Sequence, residues 1–88
     1  MTAAPRFTED ELVEIIDGTR FRTPVMRDSG PDHDSVDVLH PHNRDCRYRF
    51  ARDATGCTYL LLLSTREHKL LVSGKLTECL ALLKLFLP

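Results

Sequence analysis

A chain of 88 residues with a formal net charge of −1 holds one small domain and excludes bulk-charge attraction to nucleic acid or anionic membrane. No apolar run approaches the roughly eighteen residues of a membrane-spanning helix. The charge is unevenly split, with five Arg against ten Asp/Glu in residues 1–45 and seven Lys/Arg against three Asp/Glu in residues 46–88. Such a split pairs the two halves within one fold, pairs two subunits, or leaves a basic face for an acidic partner. Three cysteines, an odd number, and an opening Met1-Thr2-Ala3-Ala4-Pro5 without the apolar core of a secretion signal predict a cytoplasmic protein with free thiols.

In chain order, residues 1–6 are expected as a disordered lead. Thr8 and Glu11 then form a capping box, with Phe7 and Leu12 placed as a hydrophobic staple and acidic residues filling the first turn. Leu12, Ile15 and Ile16 make an apolar stripe and Gly18 a stop, which predicts a helix over 9–17. Thr19 to Arg22 reads as a short strand, 28–35 as a polar loop around Ser29-Gly30-Pro31, and Val36 to Leu39 as another strand that His40-Pro41-His42-Asn43 ends.

The second half reads as a meander followed by a helix. Arg47 to Arg52 alternates, Cys57 to Ser64 is almost continuously apolar, and His68 to Ser73 follows. With Asp53 to Gly56 as a four-residue turn, Arg52 faces Cys57, Phe50 faces Tyr59 and Tyr48 faces Leu61; with Ser64 to Glu67 as the second turn, Leu61 faces Leu70 and Tyr59 faces Val72. Alternation then puts Tyr48, Phe50, Tyr59, Leu61, Leu63, Leu70 and Val72 on one face, as core. The other face receives Arg47, Arg49, Ala51, Thr58, Leu60, Leu62, Lys69 and Leu71. From Lys75 the period becomes helical: Leu76, Cys79, Leu80, Leu82, Leu83, Phe86 and Leu87 share an arc, while Thr77, Glu78, Ala81 and Lys84 lie opposite and Leu85 falls outside it.

Motifs for chemistry are sparse. His33, His40, His42 and Cys46 fall close together, and imidazole and thiolate are zinc ligands, but the paired spacings that mark such sites are missing. A metal-binding domain using His40, His42 and Cys46 is therefore a secondary alternative, and loop histidines with no cofactor are preferred. Cys46 and Cys57 lie at opposite ends of one hairpin, too far apart for a disulfide. Ser73-Gly74-Lys75 lacks the flanking residues of a phosphate loop, and a simple helix cap is expected there. Cys46 with Asp45 and His42 is too local a cluster to make a catalytic triad. Residues 28–37 lack the spacing of a calcium loop, and no enzyme class has residues behind it.

Arg44, Arg47, Arg49 and Arg52 form the one basic cluster. Nucleic acid binding through it is the first alternative, although alternation puts Tyr48 and Phe50 on the face opposite Arg47 and Arg49, away from any bases they would stack on. The sequence thus predicts a single α+β domain over 1–88: a capped N-terminal helix, a three- to four-stranded antiparallel meander sheet, and a C-terminal helix packed on one sheet face. Its expected function is a small cytoplasmic protein-binding module, an adaptor, inhibitor or regulatory subunit that also forms homodimers. The expected contact surface is Leu60, Leu62 and Leu71 rimmed by Arg47, Arg49 and Lys69, because an apolar centre with a charged rim is how interfaces are arranged.

Overall fold

In chain order the elements are α1 (Glu9–Gly18), β1 (Val25–Ser29), β2 (Asp34–Leu39), β3 (Cys46–Arg52), β4 (Thr58–Ser64), β5 (His68–Gly74) and α2 (Leu76–Phe86). They come from a computed structural model that describes residues 6–18, 25–30, 34–40, 43 and 45–86. The fold is α+β, as the sequence predicts. Its strands make a single antiparallel sheet in the order β1-β2-β3-β4-β5, with five strands where three or four are expected. None of its described helices is long and apolar enough to cross a membrane.

The additional strand is β1. Val25-Met26-Arg27-Asp28-Ser29 has too few apolar residues to announce itself, yet it pairs along its length with β2 from Val25↔Val38 to Ser29↔Asp34. The stretch 28–35 is accordingly not one polar loop, because Asp28 pairs with Ser35 inside the sheet. Of the lead expected over 1–6, residues 1–5 lie outside the described residues, as does the strand expected over Thr19 to Arg22, while Arg6 donates from Nη2 to the Gly30 carbonyl at 3.3 Å.

α1 begins as its capping box dictates. The Thr8 backbone N–H donates to Glu11 Oε1 at 2.9 Å, and the Glu11 N–H donates to Thr8 Oγ1 at 3.2 Å. Two N–H groups that a helix start leaves unpaired are thereby satisfied reciprocally. Phe7 and Ile15 are buried and Leu12 packs against the core, whereas Ile16, expected in the same stripe, is half exposed. α2 buries Leu76, Cys79, Leu80 and Leu83, packs partly buried Leu82 against the core and leaves Leu85 80% exposed, in line with that part of its predicted arc; Leu87 and the Phe86 side chain lie outside the described residues.

The register of β3 against β4 differs by one residue from expectation, and the turn explains why. The Asp53 N–H donates to the Cys57 carbonyl at 3.2 Å and the Gly56 N–H to the Asp53 carbonyl at 3.0 Å, with Gly56 in the left-handed region at φ 86°. This is a turn closed by a glycine bulge, which inserts one residue that a plain four-residue loop lacks. Arg52 therefore opposes Thr58, Phe50 opposes Leu60 and Tyr48 opposes Leu62. A one-residue slip moves every side chain of a strand to the other face. Leu60 joins Tyr48 and Phe50 in the core and is fully buried, and Leu62 packs against the same core.

A second irregularity lies in β5. Leu61 faces Leu70 as expected, but Leu60 faces Val72, so Leu71 is an extra residue in a bulge. Both Leu71 and Val72 consequently pack against the core. The three leucines expected on an open contact surface are thus all on the helix side.

Both helices lie on this side. Val36, Val38, Phe50 and Leu60 of the sheet share one core cluster with Leu80 and Leu83 of α2 and Ile15 of α1. The helices also touch each other: a β-carbon on Gly18 would sit 3.1 Å from Leu80 Cδ2. α1 therefore extends the cover supplied by α2 and does not cross to the second face.

Two stability outcomes follow. Leu83→Ala, at a fully buried position, should cost about 2–5 kcal/mol, while Leu85→Ala should stay within about 0.5 kcal/mol; chemical denaturation of both variants separates them. Gly56→Ala should cost about 1–2 kcal/mol from left-handed strain alone, read as a lower denaturation midpoint with an unchanged denaturant slope.

Candidate interaction face

Along β2, Val36 and Val38 turn to the core, so alternation sends Ser35, Asp37 and Leu39 to the opposite face. The same rule places Arg47, Arg49 and Ala51 of β3 there, with Tyr59, Leu61 and Leu63 of β4 and Leu70 of β5. Among the described residues no helix lies on this face.

Its β2–β3 side carries a charge cluster built by register. Asp37 pairs directly with Arg49 across the β2–β3 ladder. Arg49 Nε reaches Asp37 Oδ1 at 2.7 Å and its Nη2 reaches Oδ2 at 3.0 Å, a bidentate grip, while Arg47 Nη1 adds a contact to Oδ2 at 3.2 Å. Asp37 is buried although no helix covers it; the two guanidinium groups offset the desolvation of its carboxylate. Beside this cluster stand half-buried Leu61, buried Leu63 and, toward the two sheet edges, Leu70 and Met26, exposed by 53% and 52%.

Tyr59 anchors the turn end of the face. Its hydroxyl donates to Asp53 Oδ2 at 2.6 Å, and this bond to a carboxylate pushes the phenol up to about 12. Asp53 also accepts from the Thr55 hydroxyl and from the Thr55 and Cys57 N–H groups. Those bonds, the Thr55 hydroxyl first and Tyr59 second, bring its carboxyl down to about 2.

A second charge cluster, on the helix side, docks the N-terminal segment. Arg52 holds Glu11 through contacts of 2.5 and 2.9 Å, and its guanidinium carbon lies 4.3 Å from the centre of the Phe7 ring. Fully buried Asp34 accepts from the Phe7 N–H at 2.7 Å and from Arg27 Nε and Nη2 at 3.2 and 3.0 Å. Glu11 and Asp37 of the acidic half thus meet Arg47, Arg49 and Arg52 of the basic half. Of the three readings of the charge split, these contacts are pairing within one fold.

The predicted site residues disperse. Leu60, Leu62 and Leu71 are core, as described above. Lys69 pairs with Leu62 and so belongs to the helix side, while Arg47 and Arg49 stand on the other face; the three cannot rim one surface. His40 stacks on Tyr48 with ring centres 6.0 Å apart, and its Nδ1 accepts from the Asn43 N–H at 3.1 Å. Cys46 Sγ accepts from Asn43 Nδ2 at 3.3 Å. Among the described residues no group of three His, Cys, Asp or Glu side chains could hold a metal; His33, His42 and Arg44 lie outside them. At the start of α2, Glu78 folds back so that a β-carbon on Gly74 would meet its Oε2 at 2.6 Å, and a carboxylate of the chain itself occupies that helix end.

Asp37 is the residue sequence reasoning missed. Its signal was present in Val36-Asp37-Val38, where alternation alone forces an acid onto the face opposite two core valines. Finding its partners required the β2–β3 pairing as well. Compared with family models, curated proteins and solved structures, the chain matches none.

The Glu11–Arg52 contact yields a pH test. The Arg52 hydrogen bond, aided by those from Thr8, lowers the Glu11 carboxyl from 4.5 to about 2 in the folded state. A depressed carboxyl contributes stability above its unfolded value and loses it as pH falls through the folded one. Glu11→Gln should lower the denaturation midpoint near neutral pH and make the acid loss of stability between about 4.5 and about 2 shallower. Asp53, lowered to about 2 as well, leaves part of that slope in place.

Proposed function

We propose that this chain is a small protein-binding module of the cytoplasm that docks its partner on the uncovered face of the sheet, the partner being a second copy of the chain. The observation that carries the reading is the placement of leucines in β4. An antiparallel sheet with one face in water alternates apolar inward and polar outward. β4 does not: Leu60 and Leu62 face the helices while Leu61 and Leu63 face away from them. β4 also has a strand on each side, so its leucines stand in the interior of the open face, with Leu70 directly opposite Leu61.

A second copy suits this face because sheets pack on one another through matching twisted apolar surfaces, and the chain presents one such surface itself. Arg47, its side chain 46% exposed beside Asp37, supplies the charged border that interfaces place around an apolar centre. Arg49 and Arg52 are held by Asp37 and Glu11, which favours this reading over binding of phosphate backbones through the arginine cluster.

The test compares Leu61→Lys with Leu62→Lys by light scattering and denaturation. Leu61→Lys should convert a dimer into a folded species of half the mass. Leu62→Lys, on the core side, should unfold the chain. A wild type already monomeric at high concentration overturns the second copy as partner. If such a monomer also retains, in a pull-down from host extract, every protein it binds after Leu61→Lys, the face itself is excluded as a docking surface.

A further inference from the structure

Two thiols of the chain meet at one carbonyl oxygen. Cys57 Sγ lies 3.8 Å from the Thr58 carbonyl oxygen, and Cys79 Sγ lies 3.8 Å from the same atom. Cys57 Sγ is also 4.0 Å from the Gly74 carbonyl oxygen. Thr58 pairs with Gly74 across the β4–β5 ladder, and α2 starts two residues after Gly74. Both thiols therefore sit where the sheet hands over to the helix that covers it. Cys46 is elsewhere, opposite Ser64 at the far end of the same hairpin.

We propose that Cys57 and Cys79 form an oxidative modification site that reacts with a small-molecule disulfide such as oxidised glutathione and closes into an intramolecular disulfide between α2 and the residue that precedes β4. Burial sets the order of events. Cys57 is half-buried and Cys79 fully buried, so Cys57 meets the reagent. Its thiolate attacks one glutathione sulfur, the reagent S–S bond breaks, and one glutathione leaves as thiol. Cys79, whose thiol burial pushes up, then gives its proton to solvent and attacks the Cys57 sulfur, displacing the second glutathione. In sum the protein gives up two electrons and two protons, and the reagent disulfide becomes two thiols.

Closing the bond draws the sulfurs from contact with a shared carbonyl into contact with each other. It ties the helix carrying Leu76, Leu80 and Leu83 to the strand carrying Leu60, which are the two sides of the core. A cross-link between positions distant in sequence restricts the unfolded chain, so the oxidised form is the more resistant to denaturation.

The experiment treats the folded full-length chain with oxidised glutathione at mildly alkaline pH, quenches with an alkylating reagent, and reads intact mass and peptide map. The expected product has lost the mass of two hydrogen atoms, retains no glutathione, carries a Cys57–Cys79 cross-linked peptide and leaves Cys46 as the one alkylated thiol. Dithiothreitol should restore all three thiols. Cys46→Ser should form the same link, and Cys79→Ala should hold glutathione on Cys57. A wild-type chain that keeps glutathione on Cys57, links through Cys46, or retains three free thiols after treatment overturns the proposal. The wild-type peptide map decides the matter even if the core substitution at Cys79 fails to fold.

Discussion

The turn between β3 and β4 decides what the rest of the molecule can be. Gly56 adopts a left-handed conformation closed to most side chains, and the Asp53 carboxylate gathers the N–H groups around it. The single residue this geometry inserts fixes which leucines of β4 look toward the helices. With Leu60 beneath α2, the helix finds a continuous apolar floor of Val36, Phe50 and Leu60. A slip of one place would bring Tyr59 and Leu61 there, separate Tyr59 from Asp53, and send Thr58 away from Arg52, to which it is hydrogen-bonded. Polar and apolar demands agree on one register, and that agreement across levels is what gives a sequence a single structure.

Charge serves this fold as an internal connector. Asp34 and Asp37 are buried carboxylates, and an ion removed from water without partners would cost several kcal/mol. Each is met by arginine, with Asp34 gripped by Arg27 and Asp37 by Arg49 and Arg47. Pairs of this kind contribute little net stability against an apolar replacement, yet breaking one leaves a buried ion uncompensated. Their effect is selective: they penalise strand arrangements in which the acid and its arginine do not meet.

What could be read from sequence follows the range of the interaction involved. The capping box of Thr8 and Glu11 depends on residues three apart, and the arc of α2 on one helical period, so both were legible. The facing of β4 depended on whether Gly56 closes a bulge, a choice of one residue that inverts seven. A plain four-residue turn leaves β3 as it is and inverts β4, so the interface expected from sequence mixes Arg47 and Arg49 of one face with Leu60 and Leu62 of the other. β1 escaped notice because an edge strand with one side open needs few apolar residues. Asp37 was visible as an oddity between two valines, but its role emerged only once β2 and β3 were laid side by side.

The sheet order also bears on how the chain comes to be folded. Every strand pairs only with its neighbours in sequence, so the meander assembles by successive short-range closures, the kind of topology that folds quickly. α1 and the residues just before it are the exception: the Glu11–Arg52 contact spans 41 residues and the Phe7–Asp34 contact spans 27. The helix earliest in this sequence is thus among the last of these elements to find its seat. Until β3 is in place, Ile15 of α1 and Phe7 just before it have no core to enter, and the acidic first turn of the helix between them keeps neighbouring copies apart.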